Sequence, residues 1–247
     1  MLTHFSLFTG IGGIDLAAEW AGFESAGQCE WADYQTKVLE KHWPDVPRWR
    51  DIRDVTAESF KERTGLDTVT LVSGGFPCQP FSVAGKQRGK EDDRYLWPEM
   101  CRVIEELRPT WVLGENVAGI VRMALDTVLS DLEAQGYTTI PFIIPACGVD
   151  AQHKRERVFI VAHAGSKQLQ RCSERQVPRF SKIQTQFPRG HSDLLRGWGL
   201  SKSKVLRNYH GVPNGVDRIK CLGNAVVPQQ VYPILKAIAQ IELKEEI

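Results

Sequence analysis

Over the first 163 residues, short apolar runs alternate with longer stretches of helical periodicity, and that alternation leaves few folds open. Phe5 to Phe8 reads as a strand, followed by a glycine turn and a helix over Asp15 to Trp20. Glu24 to Trp31 is a second strand, and Tyr34 to His42 a helix closed by Pro44. Thr68 to Ser73 is a buried strand, Leu96 to Leu107 an amphipathic helix, and Trp111 to Leu113 a strand running into Glu115-Asn116-Val117. A helix from Val121 to Gln135 stops at Gly136. Strand, helix, strand in repetition predicts an α/β fold with a mostly parallel, doubly wound sheet, because parallel neighbours need a crossover between them. The last two runs, Thr139 to Ile144 and Arg157 to Ala162, are joined too closely for a crossover and are expected to pair antiparallel. A final helix opens at Leu222 to Pro228, with Val231, Ile234, Leu235, Ile238 and Ile241 on one face.

Between these regions the pattern dissolves. From Ala164 to Lys220 there are twelve Lys/Arg against three Asp/Glu, whereas the rest of the chain carries nineteen basic and twenty-seven acidic residues. A basic segment on a mildly acidic body suits a polyanion bound on one side, although a solvated surface segment would look similar. The expected division is a catalytic domain over 1–163, a small basic lobe over 164–210 and a returning segment over 211–247. No run is apolar enough to span a membrane, and no secretory leader is read. Six cysteines without a Cys-x-x-Cys pair argue against zinc and for reduced thiols in a cytosolic compartment.

In an open α/β sheet, chemistry collects beyond the carboxyl ends of the strands. Three groups of residues fall there, and a fourth opens the last strand. Phe8-Thr9-Gly10-Ile11-Gly12-Gly13 follows the first strand, where glycines let a ligand approach the backbone of a helix N-terminus. Glu30, at the end of the second strand, suits ribose hydroxyls, and Trp31 suits an adenine face; together with the loop they favour a nucleoside cofactor over a simple tight turn. Cys78 lies in Gly75-Phe76-Pro77-Cys78-Gln79, a stiff loop that would hold a thiol out of the core, and Glu115 would end the neighbouring strand on the same edge. Arg155 and Arg157 would point to one face of a strand and could grip phosphate or carboxylate, or could be an exposed charge cluster.

Taken in order, Ser6 to Gly13, Glu30-Trp31, Asp51-Ile52, Gly75 to Gln79, Glu115-Asn116-Val117, Gln152 to Arg157 and Gly223 to Pro228 resemble the C5-cytosine-specific DNA methyltransferases, of short bacterial or phage type. The resemblance spans nearly the whole chain. It implies a Rossmann-like S-adenosylmethionine-dependent fold, with Cys78 attacking C6 of a flipped cytosine in duplex DNA. Glu115 would hold N3 and the exocyclic amine, Arg157 the base, and Arg155 the base or the backbone nearby. The methyl of S-adenosylmethionine would pass to C5, leaving S-adenosylhomocysteine. Phe8, Thr9, Gly10, Gly12 and Gly13 would wrap the methionine part, Glu30 the ribose, and Trp31, Asp51 and Ile52 the adenine. Pro77, Leu96, Asn224 and Ala225 would complete the pocket. No metal is implied. A cytoplasmic monomer is expected, in a prokaryotic or phage-infected cell, with a cognate restriction endonuclease as a possible companion. Two other readings stay open: a catalytically weak DNA-binding relative, and an RNA cytosine methyltransferase of the same fold. A thiol hydrolase is disfavoured, since no His is placed to activate Cys78.

Overall fold

The computed structural model describes residues 1–77, 95–165 and 223–245. Met1–Ser166 and Asn224–Ile247 form one compact unit. The expected basic lobe, apart from Ala164 and Gly165, and the start of the returning segment lie outside the described residues.

Seven strands make one sheet in the order β3-β2-β1-β4-β5-β7-β6. They are β1 (Thr3–Leu7), β2 (Glu24–Cys29), β3 (Arg48–Trp49), β4 (Leu71–Gly74), β5 (Trp111–Val117), β6 (Thr138–Pro145) and β7 (Glu156–His163). The first five run parallel. β7 pairs antiparallel with both β5 and β6, as the short connection predicts. Helices α1 (Gly13–Ala21), α2 (Asp33–His42), α3 (Ala57–Thr64), α4 (Trp97–Leu107), α5 (Ile120–Met123), α6 (Leu125–Ala134) and α7 (Pro228–Glu245) accompany them.

Strand parity sorts the core into two layers, because successive side chains leave a strand on opposite faces. Val72 in β4, Val112 in β5 and Ile160 in β7 join Phe60 of α3, Met100 and Ile104 of α4, and Val128 of α6. Their neighbours Leu71, Trp111, Leu113 and Phe159 pack with Ile14 and Ala17 of α1 and with Val231, Leu235 and Ile238 of α7. Both faces of the central strands β1, β4, β5 and β7 are therefore covered, which is what near-continuous apolar strands require.

Three expectations are corrected. The stretch Val121 to Gln135 is two helices, broken at Ala124 (φ −150°). Ile241 is exposed, while Ala239 is buried in its place, because the buried stripe of α7 is rotated toward Leu235. The second strand ends at Cys29, so Glu30 and Trp31 stand just beyond it. Two elements went unread, β3 and α3. The latter opens with a reciprocal cap in which Thr56 and Ser59 each accept the other's backbone N–H.

α7 packs along α1, and the contact begins at Gly13. A β-carbon there would stand 2.7 Å from the carbonyl oxygen of Val226, a backbone atom with little freedom to retreat. Gly13→Ala is accordingly expected to destabilise the fold by about 1–3 kcal/mol through overpacking. Chemical denaturation of the variant against the parent chain checks this.

Candidate active site

β1 ends at Leu7 and the chain turns sharply, with left-handed backbone at Phe8 (φ 52°), Gly10 (60°) and Gly12 (83°). Phe8 is the costly member, since a side chain disfavours that region, and such residues gather where function over-determines the backbone. The turn is tied to the end of β2. Thr9 N–H donates to the Cys29 carbonyl at 3.1 Å, and Gly10 N–H to Glu30 Oε2 at 2.7 Å. Glu30 Oε1 accepts from Ala32 N–H at 2.8 Å. Burial raises the Glu30 carboxyl above the usual carboxylate range, against the pull of those two amides. Beside it Trp31 is 72% exposed and presents its ring to solvent.

Asp51 follows β3 and caps a 3-10 turn over Ile52–Asp54, accepting from Arg53 N–H at 2.9 Å. Ile52 is buried. Its carbonyl and that of Val55 accept from the Arg102 guanidinium of α4 at 2.9 and 2.8 Å, and Glu99 and Glu106 brace the same guanidinium. Leu96 and Ala225 are half-buried and Asn224 exposed, next to the Val226 that meets Gly13. Phe8, Thr9, Gly10, Gly12, Gly13, Glu30, Trp31, Asp51, Ile52 and Pro77 thus follow the carboxyl ends of β1 to β4, on one edge of the sheet. A carboxylate with spare lone pairs, an exposed indole and an open turn of backbone fit a nucleoside bearing an amino-acid tail.

Next along the edge, β4 leads through Gly75-Phe76-Pro77 to Cys78, which lies outside the described residues. The approach to it is fixed by β5. Asn116 Nδ2 donates to the Phe76 carbonyl at 2.9 Å, and a β-carbon on Gly75 would stand 3.0 Å from Glu115 Oε2. Glu115 is buried, and its Oε1 pairs with Arg157 Nε at 2.8 Å. Burial raises its carboxyl above the usual range, while Arg157 and then Arg155 pull it down without cancelling the rise. A buried carboxyl biased toward its neutral form is suited to donate a proton.

Arg155 corrects the reading of two arginines on one strand face. It precedes β7 with φ 32°, so strand alternation does not govern it. Its guanidinium donates to the Ala225 carbonyl at 2.7 Å, and its own carbonyl accepts from Gln230 Nε2 of α7 at 3.1 Å. Only Arg157 reaches Glu115 as an ion-pair partner among the described residues. Sequence reasoning gave no role to Asn116 or Arg102. The signal for Arg102 was its spacing from Glu99 and Glu106, which places all three on one helix face. Among the described residues no cluster of His, Cys, Asp and Glu could hold a metal ion, and no helix is long and apolar enough to cross a membrane.

Removing the Arg157 charge leaves Glu115 buried without its main counter-charge. The Glu115 carboxyl then rises further, so the folded state holds a proton over a window in which the unfolded chain has lost it. Stability must fall as pH rises through that window. Arg157→Met is expected to cost about 3 kcal/mol at pH 8, as for a broken buried pair, and clearly less at pH 5. Thermal melts at the two pH values check the sign.

The C-5 cytosine-specific DNA methylase family model matches residues 2–211. The type II methyltransferase M.AluI of Cellulosimicrobium cellulans is 30% identical, over 85% of this chain and 47% of its own length. M.Eco47II of Escherichia coli is 36% identical, over 65% of this chain and 39% of its own. A solved structure assigned as a DNA modification methyltransferase, encoded within an Escherichia coli prophage, superposes with a TM-score of 0.57 at 26% identity, covering 66% of this chain and 47% of that one. The chain spans about half or less of the length of these relatives. With the match covering most of its residues, the chain belongs to the C-5 cytosine-specific DNA methylase family.

Proposed function

We propose that the chain is a DNA (cytosine-5-)-methyltransferase acting on a cytosine flipped out of duplex DNA, with S-adenosylmethionine as methyl donor and S-adenosylhomocysteine as product. The observation that carries this reading is the buried Glu115, braced by Arg157 and set against the loop that leads to Cys78. Family membership supports it independently.

Cytosine accepts nucleophiles poorly, so thiolate attack at C6 stalls unless the charge building at N3 is neutralised. Cys78 adds to C6, and Glu115, its carboxyl raised by burial, delivers a proton to N3. Arg157 fixes one carboxyl oxygen of Glu115 and so aims the other toward the base. Addition makes C5 nucleophilic. S-adenosylmethionine, when bound, supplies an electrophilic methyl group for C5. Loss of the C5 proton to water restores the C5–C6 double bond and expels Cys78 as thiolate, while N3 returns its proton to Glu115. Since C6 is unreachable inside the stack, the base must leave the helix at a cost of a few kcal/mol.

On the cofactor side, Glu30 receives the ribose hydroxyls and Trp31 and Ile52 flank the adenine, with Asp51 at its amine. Phe8 to Gly13 take the amino-acid tail, and Pro77, Leu96, Asn224 and Ala225 complete the wall. Arg155, anchored to the Ala225 carbonyl, holds the cofactor wall and the base pocket together. The basic segment over 164–210 serves as a target-recognition lobe on the DNA phosphates. A cytoplasmic monomer, paired with a restriction endonuclease of the same specificity, completes the reading.

Methyl transfer from labelled S-adenosylmethionine tests it. Label is expected on cytosine C5 of unmethylated duplex DNA, with bisulfite sequencing giving the recognition site. Cys78→Ala should lower turnover by at least about a thousandfold, as loss of a covalent nucleophile does, while cofactor binding persists. Label on transfer RNA alone would overturn the DNA assignment.

A further inference from the structure

The glycine turn rests on a buried polar relay that the reaction itself does not call for. Asp15, in the first turn of α1, is 1% exposed. Its Oδ1 accepts from Ser6 Oγ at 2.8 Å and from Gln28 Nε2 at 3.0 Å. Ser6 has one hydroxyl proton and spends it on Asp15. Its contact with Thr9 Oγ1 at 2.9 Å therefore has Thr9 as donor, and the single Thr9 hydroxyl proton is shared between that contact and the Ser6 and Cys29 carbonyls, each at 3.1 Å.

At the other end, Gln28 cannot flip its amide. Its Oε1 accepts from Arg48 Nε at 2.9 Å, and an arginine offers only donors, so Nε2 must face Asp15. The Arg48 guanidinium is held in turn by the carbonyls of Leu39, at 3.0 Å, and Trp43. Two donor arms thus converge on Asp15 of α1, one from Arg48 on β3 through Gln28 on β2, the other from Thr9 in the turn through Ser6 on β1. Thr9 and Gly10 are clamped from two sides, by this relay and by the Glu30 carboxylate.

Stability alone does not account for a polar acceptor buried here. Burial pushes the Asp15 carboxyl up to about 6, with Gln28, Ser6 and Arg48 offsetting only part of the cost, so at neutral pH the fold carries a charge it would be easier without. Its second oxygen, Oδ2, has no hydrogen-bond partner among the described residues.

We propose that Asp15 is a positioning residue for the cofactor: through Ser6 and Gln28 it holds the Thr9–Gly10 backbone and the end of β2, with Glu30, in the arrangement that receives the nucleoside. This rests on the S-adenosylmethionine reading above. Calorimetric titration of S-adenosylmethionine into the full chain and into Ser6→Ala, Asp15→Ala and Asp15→Asn tests it. Asp15→Ala and Ser6→Ala are expected to weaken binding about tenfold, the scale of one good buried hydrogen bond. Asp15→Asn keeps an oxygen able to accept both bonds and should regain most of the affinity. Wild-type affinity in Ser6→Ala and Asp15→Ala, even with lowered melting temperatures, would overturn the proposal and leave the relay a packing feature. Asp15→Asn binding no better than Asp15→Ala would overturn it as well. Should Asp15→Ala fail to fold, Ser6→Ala, which removes one oxygen only, carries the test. No binding by the parent chain would refute the cofactor reading instead, so the two failures are distinguishable.

Discussion

The position of β1 between β2 and β4 is the constraint on which the rest of the structure depends. From β1 the sheet grows one way through β2 and β3, and the other way through β4 and β5. The connections beyond their carboxyl ends must then diverge, and a crevice opens where they part. The glycine turn, Glu30, and the segment approaching Cys78 all border that crevice. No residue has to be brought there by a special loop; parallel winding delivers the end of each strand to the same edge.

Burial then gives these strand ends their chemistry. Two carboxyls on this edge, Glu30 and Glu115, are raised by burial, and each is offset differently. Glu30 is offset by backbone amides, which fix a loop. Glu115 is offset by a guanidinium, which leaves one oxygen facing Gly75 and the thiol-bearing loop. His4 shows the same desolvation with no such partner. Its ring is pushed down to about 3 and stays neutral, with Nε2 meeting Ser73 Oγ at 2.7 Å. It serves as an uncharged link between β1 and β4.

Much of this could be read from the sequence, for a physical reason. Strand and helix periodicity report which face is buried, so β1, β2, β4, β5 and the antiparallel β6–β7 pair were visible in runs such as Leu71-Val72-Ser73 and Val158-Phe159-Ile160. Glycines and a following acid marked the turn and Glu30. What stayed hidden depends on a partner in space. β3 is only two residues, too short to show a period. The left-handed backbone of Arg155 follows from its anchoring by Ala225 and Gln230, seventy or more residues away, which no local pattern encodes. Asp15 and Gln28 carry no local signal of a role, and only their meeting with Ser6 under the turn gives the three a common purpose. Cys78 and the basic lobe lie outside the described residues, so their reading rests on sequence and family alone.

The segment from Asn224 to Gln230 ties the two sides of the crevice together. Val226 lies against Gly13 at the cofactor turn, the Ala225 carbonyl holds Arg155, and Gln230 Nε2 bridges the carbonyls of Ile144 and Arg155 at the mouth of the β6–β7 hairpin. Arg155 in turn lies close enough to Glu115 to lower its carboxyl. A short C-terminal stretch thereby fixes the distance between the cofactor turn and the carboxyl expected to act on the base. Under the proposed methyl transfer that spacing would matter more than any single contact, because donor and acceptor must meet within a near-attack distance of about 3–3.5 Å. The proposal would thus give a purpose to a segment remote in sequence from both sites that returns to pack between them.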